Sequence, residues 1–297
     1  MVSSFPLDFT NFELEITDRC NLACPRCART ELLEKFPKIK FENDLDLGDF
    51  KRFIAPELVN VNIFEFKGTL GDPIFHPKFI DWIKWVKSEN KRAFIHTNGQ
   101  AGKSLWNKLA PLLTKDDQVV LGIDGMPDDF MQYRVNGKWK NIEATVTALK
   151  GKCHLVWQFI VFSYNEHEIE EARALSVKMG FDEFLLYHSD RWRDGEDTLK
   201  PTLENASLVR GRMDSSTIDP DCLSRPMHII TADGYYMPCC YLTDPRWRYK
   251  TAWAKAFKIS DNLITDVIKS SIGDSFYANL NNEDAPSYCR FECGKCK

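Results

Sequence analysis

Six apolar runs alternate with helix-like stretches between residues 12 and 190, and that alternation leaves few folds open. The runs are 12–16, 61–66, 93–96, 119–123, 155–162 and 183–187. Between them, 77–90, 103–113, 139–150 and 165–179 carry apolar residues at helical spacing. In the last of these, Asn165 reads as an N-cap with Glu168 three residues on, a capping-box pattern, and Gly180 reads as the stop. Strands alternating with helices predict a parallel sheet of β/α units. In such α/β barrels the chemistry lies at the C-terminal ends of the strands. Every polar motif here obeys that rule. A cysteine loop follows strand one and GTLGDP strand two. TNG follows strand three, DG strand four, SYNEH strand five and HSDR strand six.

The cysteine loop reads DRCNLACPRC, placing Cys20, Cys24 and Cys27 at C-x3-C-x2-C spacing. Three thiolates can hold three irons of a [4Fe–4S] cluster and leave the fourth iron open to substrate. Clusters ordinarily take four cysteines, so three suggest a catalytic centre. A zinc site would want a fourth ligand nearby. The first histidine is His76, and the next cysteine after the loop is Cys153.

Six further cysteines gather towards the C-terminus: Cys222, Cys239, Cys240, Cys289, Cys293 and Cys296. The run MHIITADGYYMPCC between them reads as two strands joined at Asp233-Gly234. Cys239 and Cys240 are adjacent. On a strand they point to opposite faces, so one of them ligates. A four-cysteine zinc ribbon stays open as the alternative for this half.

Lys and Arg number 39 against 43 Asp and Glu, a formal net charge of −4, which gives no basic stripe for a nucleic acid. The opening segment lacks a basic stretch followed by an apolar one, and no apolar run is long enough to span a bilayer. The expectation is a cytoplasmic protein without a membrane partner. In that compartment, clustered cysteines bind metal rather than form disulfides.

The C-x3-C-x2-C loop, its place after strand one and the motif positions together resemble the radical S-adenosylmethionine (SAM) superfamily. The resemblance implies an open (β/α)6 partial barrel over residues 1–190, a linker at 191–221 and a small cysteine-rich domain at 222–297 similar to the twitch and SPASM modules. Such a module carries an auxiliary [4Fe–4S] cluster. The one-cluster twitch type suits six cysteines, with Cys222, Cys239, Cys293 and Cys296 as ligands and Cys289 as the alternative. The implied activity is reductive cleavage of SAM to a 5′-deoxyadenosyl radical that abstracts a hydrogen atom. The substrate would be a peptide, a protein or a small molecule, and the electron donor a flavodoxin or ferredoxin. The early position of the triad argues against an N-terminal peptide-recognition domain. The rival readings are an iron–sulfur electron carrier or zinc scaffold without catalysis, and a radical enzyme acting on nucleic acid.

The resemblance also assigns SAM contacts. Gly68–Pro73 is similar to the family's Gly-Gly-Glu-Pro motif, so Gly71, Asp72 and Pro73 would hold the amino group. Thr97 and Asn98 would meet the ribose or carboxylate, and Asp124 the ribose. Arg134 would pair with the carboxylate, unless it forms a surface ion pair. Gly122 stands where many relatives have Ser, and Arg26 where they have an aromatic beside the adenine. Arg26 could stack there through its guanidinium. His188 at the end of strand six and Cys240 near the second cysteine set are candidates for direct roles. Trp192 and Trp247 could form a substrate lip. Cys153 reads as a packed thiol.

Overall fold

The computed structural model describes residues 9–189, 191–192, 197–202, 227–248 and 256–270, together with Cys289 and Cys293. All six expected strands form: β1 (Asn11–Leu14), β2 (Ile63–Phe66), β3 (Arg92–Thr97), β4 (Gln118–Gly122), β5 (His154–Val161) and β6 (Glu183–His188). β7 (Ile229–Ile230) and β8 (Tyr236–Met237) form the expected hairpin. The sheet order is β6-β5-β4-β3-β2-β1-β7-β8. The six barrel strands make an open parallel sheet, the arrangement of a partial barrel.

The chain divides into two compact units. One comprises residues 18–42 and 65–209, the other 1–17, 43–64 and 210–297. The first unit holds β3 to β6 in parallel register, with His96 opposite Val120, Val120 opposite Val156 and Ile160 opposite Tyr187. Helices α1 (Ala28–Lys35), α3 (Phe79–Ser88), α4 (Lys103–Leu109), α5 (Trp139–Leu149) and α6 (Ile169–Met179) belong to it, and α2 (Leu47–Ile54) to the other.

Strand alternation sets the faces. Phe66 meets Phe79 and Trp82 of α3 edge-on, and Trp157 meets Phe181 and Phe184. These residues face the helices, so Glu65, His96, Gly122, Gln158 and Ile160 face the opposite, concave side. α3 buries Phe79, Trp82, Ile83 and Val86, a stripe at i, i+3, i+4 and i+7. Below the sheet, the fully buried Asp117 accepts from Ala93 N, Thr114 N and Lys87 Nζ at 2.7–2.8 Å, which satisfies its charge.

The capping expectation for α6 needs correction. Its N-cap is Glu168, with no side-chain cap. Asn165 instead closes the loop after β5, accepting from Phe162 N at 2.7 Å and donating to Ile160 O at 3.0 Å. Asn competes for nearby backbone groups as readily as it caps. Gly180 does end α6, in the left-handed region at φ 97°.

In the other unit β1 runs parallel to β7, which pairs antiparallel with β8. Gly234, at φ 84°, makes the hairpin turn and donates to Thr231 O at 2.8 Å. No helix among the described residues is long and apolar enough to cross a membrane.

Candidate functional site

The three N-terminal cysteines occupy the loop between β1 and α1. Cys27 is the extended residue before α1, and its carbonyl accepts from Glu31 N at 3.1 Å. Its own amide donates to Cys24 O at 3.1 Å, and Ala23 N donates to Val135 O at 3.2 Å. Cys24 is buried with Leu22, Tyr133 and Phe162, and Cys20, Cys27, Ile160, Tyr164, Trp192 and Leu199 pack against that group. Two donors reach the sulfurs: Asn98 Nδ2 lies 3.5 Å from Cys20 Sγ and Arg134 Nη1 3.9 Å from Cys24 Sγ.

Burial pushes the Cys20 thiol up to about 12, and the Asp72 carboxylate adds to the shift. Burial pushes Cys24 up to about 11, opposed by Arg134. Thiols in so dry a pocket ionise when a metal charge compensates them. Among the described residues no three His, Cys, Asp or Glu side chains are disposed to hold a single metal ion. A cubane asks for something different, one thiol per iron. The three sulfurs of Cys20, Cys24 and Cys27, the apolar wall and two sulfur-directed donors fit a [4Fe–4S] cluster.

Beside this loop, the turns after β2 and β3 are braced together. Asp72 is buried; Oδ2 accepts from Asn98 N at 2.6 Å and Thr97 Oγ1 at 3.0 Å, and Oδ1 from Ile74 N at 3.2 Å. Its amide donates to Arg19 O at 2.8 Å. Burial pushes the carboxyl up to about 6 against the pull of these donors. A Cβ at Gly68 would lie 2.9 Å from Gly71 O, so this turn needs glycine. Pro73 opens the short 3-10 turn Pro73–Phe75 that Asp72 caps. Asn98 Oδ1 accepts from Gln100 N at 2.9 Å, which turns its amide towards Cys20. Gln100, also buried, accepts from Lys138 N at 2.8 Å and holds the segment after β4 in place.

Asp124 and Arg134 come together. Arg134 Nε is 2.7 Å from Asp124 Oδ2 but off the hydrogen-bond line, so the pair is a charge contact and both atoms keep bonding capacity. Asp124 Oδ1 accepts from Ile160 N at 2.8 Å, and its carbonyl accepts from the Tyr164 hydroxyl. Burial raises the Asp124 carboxyl, opposed by Arg134. Burial alone would lower the Arg134 guanidinium; Asp124 and Cys24 more than offset it, and it stays charged. Gly122 explains how Arg134 gets there: a Cβ at 122 would fall on Nη2 and 3.2 Å from Cζ. The guanidinium occupies the space that a serine would take.

Arg26 makes a bidentate pair with Asp197 in the plane of its guanidinium, Nε to Oδ2 at 2.9 Å and Nη2 to Oδ1 at 2.6 Å. Trp192 stands edge-on to Phe162 at 5.9 Å, within the cysteine pocket. His188 shares the strand face of Phe184, and its Nδ1 is buried with no partner among the described residues. Cys153 is fully buried at the start of β5 and pushed up to about 12 by burial. Cys239 and Cys289 are buried, and Cys240 and Cys293 half-buried. Cys222, Cys296 and the Trp247 side chain lie outside the described residues.

Sequence reasoning missed Tyr133, Phe162, Tyr164, Gln100 and Asp197. A polar group on the concave face was missed as well: Glu65 Oε1 lies 3.2 Å from His96 Nε2 and Oε2 3.1 Å from Lys67 Nζ. Charged residues are unusual inside a parallel strand, where both faces are ordinarily apolar. That was the available signal.

The family model of the radical SAM superfamily matches residues 14–176, more than half of the chain. A tungsten-containing aldehyde ferredoxin oxidoreductase cofactor-modifying protein of Pyrococcus furiosus is 33% identical over 88 residues, 29% of this chain and 23% of that protein. An S-adenosylmethionine-dependent nucleotide dehydratase of Selenomonas ruminantium is 30% identical over 117 residues, 38% of each. The matches thus span well under half of either relative. Among solved structures, Streptococcus suis SuiB bound to S-adenosylmethionine superposes with a TM-score of 0.64 at 15% identity, covering 98% of this chain and 71% of SuiB. SuiB bound to its precursor peptide SuiA gives 0.63 at 14% identity, covering 98% and 70%. Histidine-tagged anSMEcpe with bound AdoMet gives 0.63 at 14% identity, covering 91% and 80%. The chain belongs to the radical SAM superfamily.

Proposed function

We propose that this protein holds a [4Fe–4S] cluster on Cys20, Cys24 and Cys27, binds SAM beside it, and removes a hydrogen atom from an unactivated carbon of its substrate. The observation that carries the reading is the buried pocket in which three thiols meet an amide and a guanidinium donor. When bound, the cluster supplies the electron that cleaves SAM to methionine and the 5′-deoxyadenosyl radical. The chain's own residues bind and orient. Asp72, ionised above about pH 6, would take the SAM ammonium with Gly71 and Pro73 shaping the turn. Arg134 would take the carboxylate, its guanidinium already seated over Gly122. Asp124, Thr97 and Asn98 would line the same cradle. Tyr133, Phe162, Tyr164 and Trp192 exclude water from the reacting centre.

The C-terminal cysteines Cys222, Cys239, Cys293 and Cys296, with Cys289 as alternative, would hold an auxiliary [4Fe–4S] cluster in a domain running from residue 222. A low-potential carrier such as a flavodoxin or ferredoxin would supply electrons. A peptide is the favoured substrate, since SuiB shares the fold over nearly the whole chain and has been solved with a precursor peptide. A small molecule is the second reading, supported by the similarity to the nucleotide dehydratase.

The test is anaerobic reconstitution, dithionite reduction and measurement of 5′-deoxyadenosine. The expected result is formation by the wild type and none by the protein with all three N-terminal cysteines replaced by Ala. Undiminished formation in that variant would sink the reading.

A further inference from the structure

We propose that Arg26 and Asp197 are a positioning pair: their bidentate contact registers residues 197–202 against the cysteine loop and keeps the cluster pocket closed to water. The proposal rests on the reading of Cys20, Cys24 and Cys27 as cluster holders.

Arg26 sits between Cys24 and Cys27, next to the latter, so its side chain is rooted in the cysteine loop. Besides the two bonds to Asp197, it donates Nη1 to Pro25 O at 3.2 Å. Both partners are desolvated, the side chains being 9% and 0% exposed. Asp197 is fixed from its own side, accepting from Leu199 N on Oδ1 and from Lys200 N on its carbonyl, each at 3.0 Å. The following residues are tied to the loop after β5. Ser163 N donates to Leu199 O at 3.0 Å, and the Ser163 hydroxyl donates to Thr198 O. Thr202 donates from N and Oγ1 to Glu166 Oε2 at 2.9 and 3.1 Å. Leu199, held this way, packs with Trp192 on the group around Cys24.

Stability does not account for this arrangement. Withdrawing two charges from water costs about what their attraction returns, and an apolar pair would hold the segment as well. What the planar fork adds is a single geometry, because two parallel bonds fix distance and angle together. A shift of residues 197–202 would therefore open the apolar wall at Leu199 and admit solvent to the sulfurs. The apolar shell of a metal site governs solvent access and potential.

The test uses Arg26→Gln, Asp197→Asn, and the exchanged double variant Arg26→Asp with Asp197→Arg. In the cluster-free protein, amide hydrogen exchange at Leu199 and Lys200 should speed up about tenfold or more in each single variant. In the reconstituted protein, a ferrous chelator should strip the N-terminal iron about tenfold faster or more, a ratio set by how often the pocket opens. The electron paramagnetic resonance signal of the reduced cluster with SAM should also broaden. The exchanged pair should recover part of both rates. If a single variant does not load iron, Arg26→Lys keeps the charge without the fork and should give intermediate rates. Wild-type exchange and wild-type iron release in the single variants would overturn the proposal. A wild-type protein that never loads iron on the triad would overturn the cluster reading instead, and the exchange measurement on metal-free protein would still decide whether the pair registers the segment.

Discussion

The two cysteine sets are distributed in opposite ways along the chain. The N-terminal triad lies on one short loop, with Asn98 and Arg134 reaching its sulfurs and an apolar wall behind Cys24. The fold gathers these three thiols in one packed group. The C-terminal set is spread over long stretches of chain, from Cys222 to Cys296. A site whose ligands come from distant stretches gains much of its order from the metal, and binding energy becomes folding energy. On the proposed reading, the triad would be a site the fold shapes for a cluster, and the C-terminal set would draw its ligands from stretches far apart in the sequence.

The largest expected effect separates the two sets outright. With the triad replaced by Ala, iron should fall from about eight to about four per chain, at four per cluster, while 5′-deoxyadenosine disappears. Zinc in that variant, with no iron–sulfur absorbance, would decide for a ribbon at the C-terminus. Next, Cys239→Ala should remove about four irons and lower the midpoint of thermal unfolding, whereas Cys240→Ala should leave both nearly unchanged. Equal losses from the two variants would break the assignment of ligation to one of the adjacent pair.

A smaller effect sharpens the idea that the triad site is preassembled. Arg134→Ala removes one partner of a desolvated charge pair, a loss of about 2 kcal/mol or more, and should weaken SAM binding roughly thirtyfold. Its iron content should match the wild type. Calorimetry of the reconstituted variant with SAM checks this, and wild-type affinity would move the carboxylate contact to Asn98.

The smallest effect is in pH. Burial raises the Asp72 carboxyl from 3.8 to about 6, so the ionised form that takes an ammonium is lost as pH falls through about 6. SAM affinity should drop there by up to about tenfold per pH unit, and Asp72→Asn should flatten the profile. The ligand-free protein should move the other way. A carboxyl whose folded pKa is raised favours the folded state below about 4, and that contribution is lost as pH rises through about 6.

The fold was legible where the sequence speaks in contiguous runs. All six barrel strands announce themselves as apolar stretches, and the motifs fall at their ends. Two short helices escaped. α1 follows Cys27 directly with only Ala28 and Leu32 buried, too sparse for a periodic pattern. α2 shows its apolar face only at Phe50, Phe53 and Ile54, though Asp46 caps it through Asp49 N at 2.9 Å. The site was legible to the same extent. The triad and the loop around Asp72 are local, whereas Arg26 finds Asp197 171 positions away. No spacing rule reaches so far. The misreading of Asn165 has a different origin, since its side chain had several backbone partners within reach.

The seat of Arg134 over Gly122 has a consequence for substitution. Two positions twelve residues apart share one volume, so a change at one is felt first at the other. A side chain gained at 122 would press on the far end of a flexible arginine rather than on backbone. Its cost would fall on where the guanidinium points and not on whether the chain folds. The glycine therefore steers a charge without bearing on the strand that carries it.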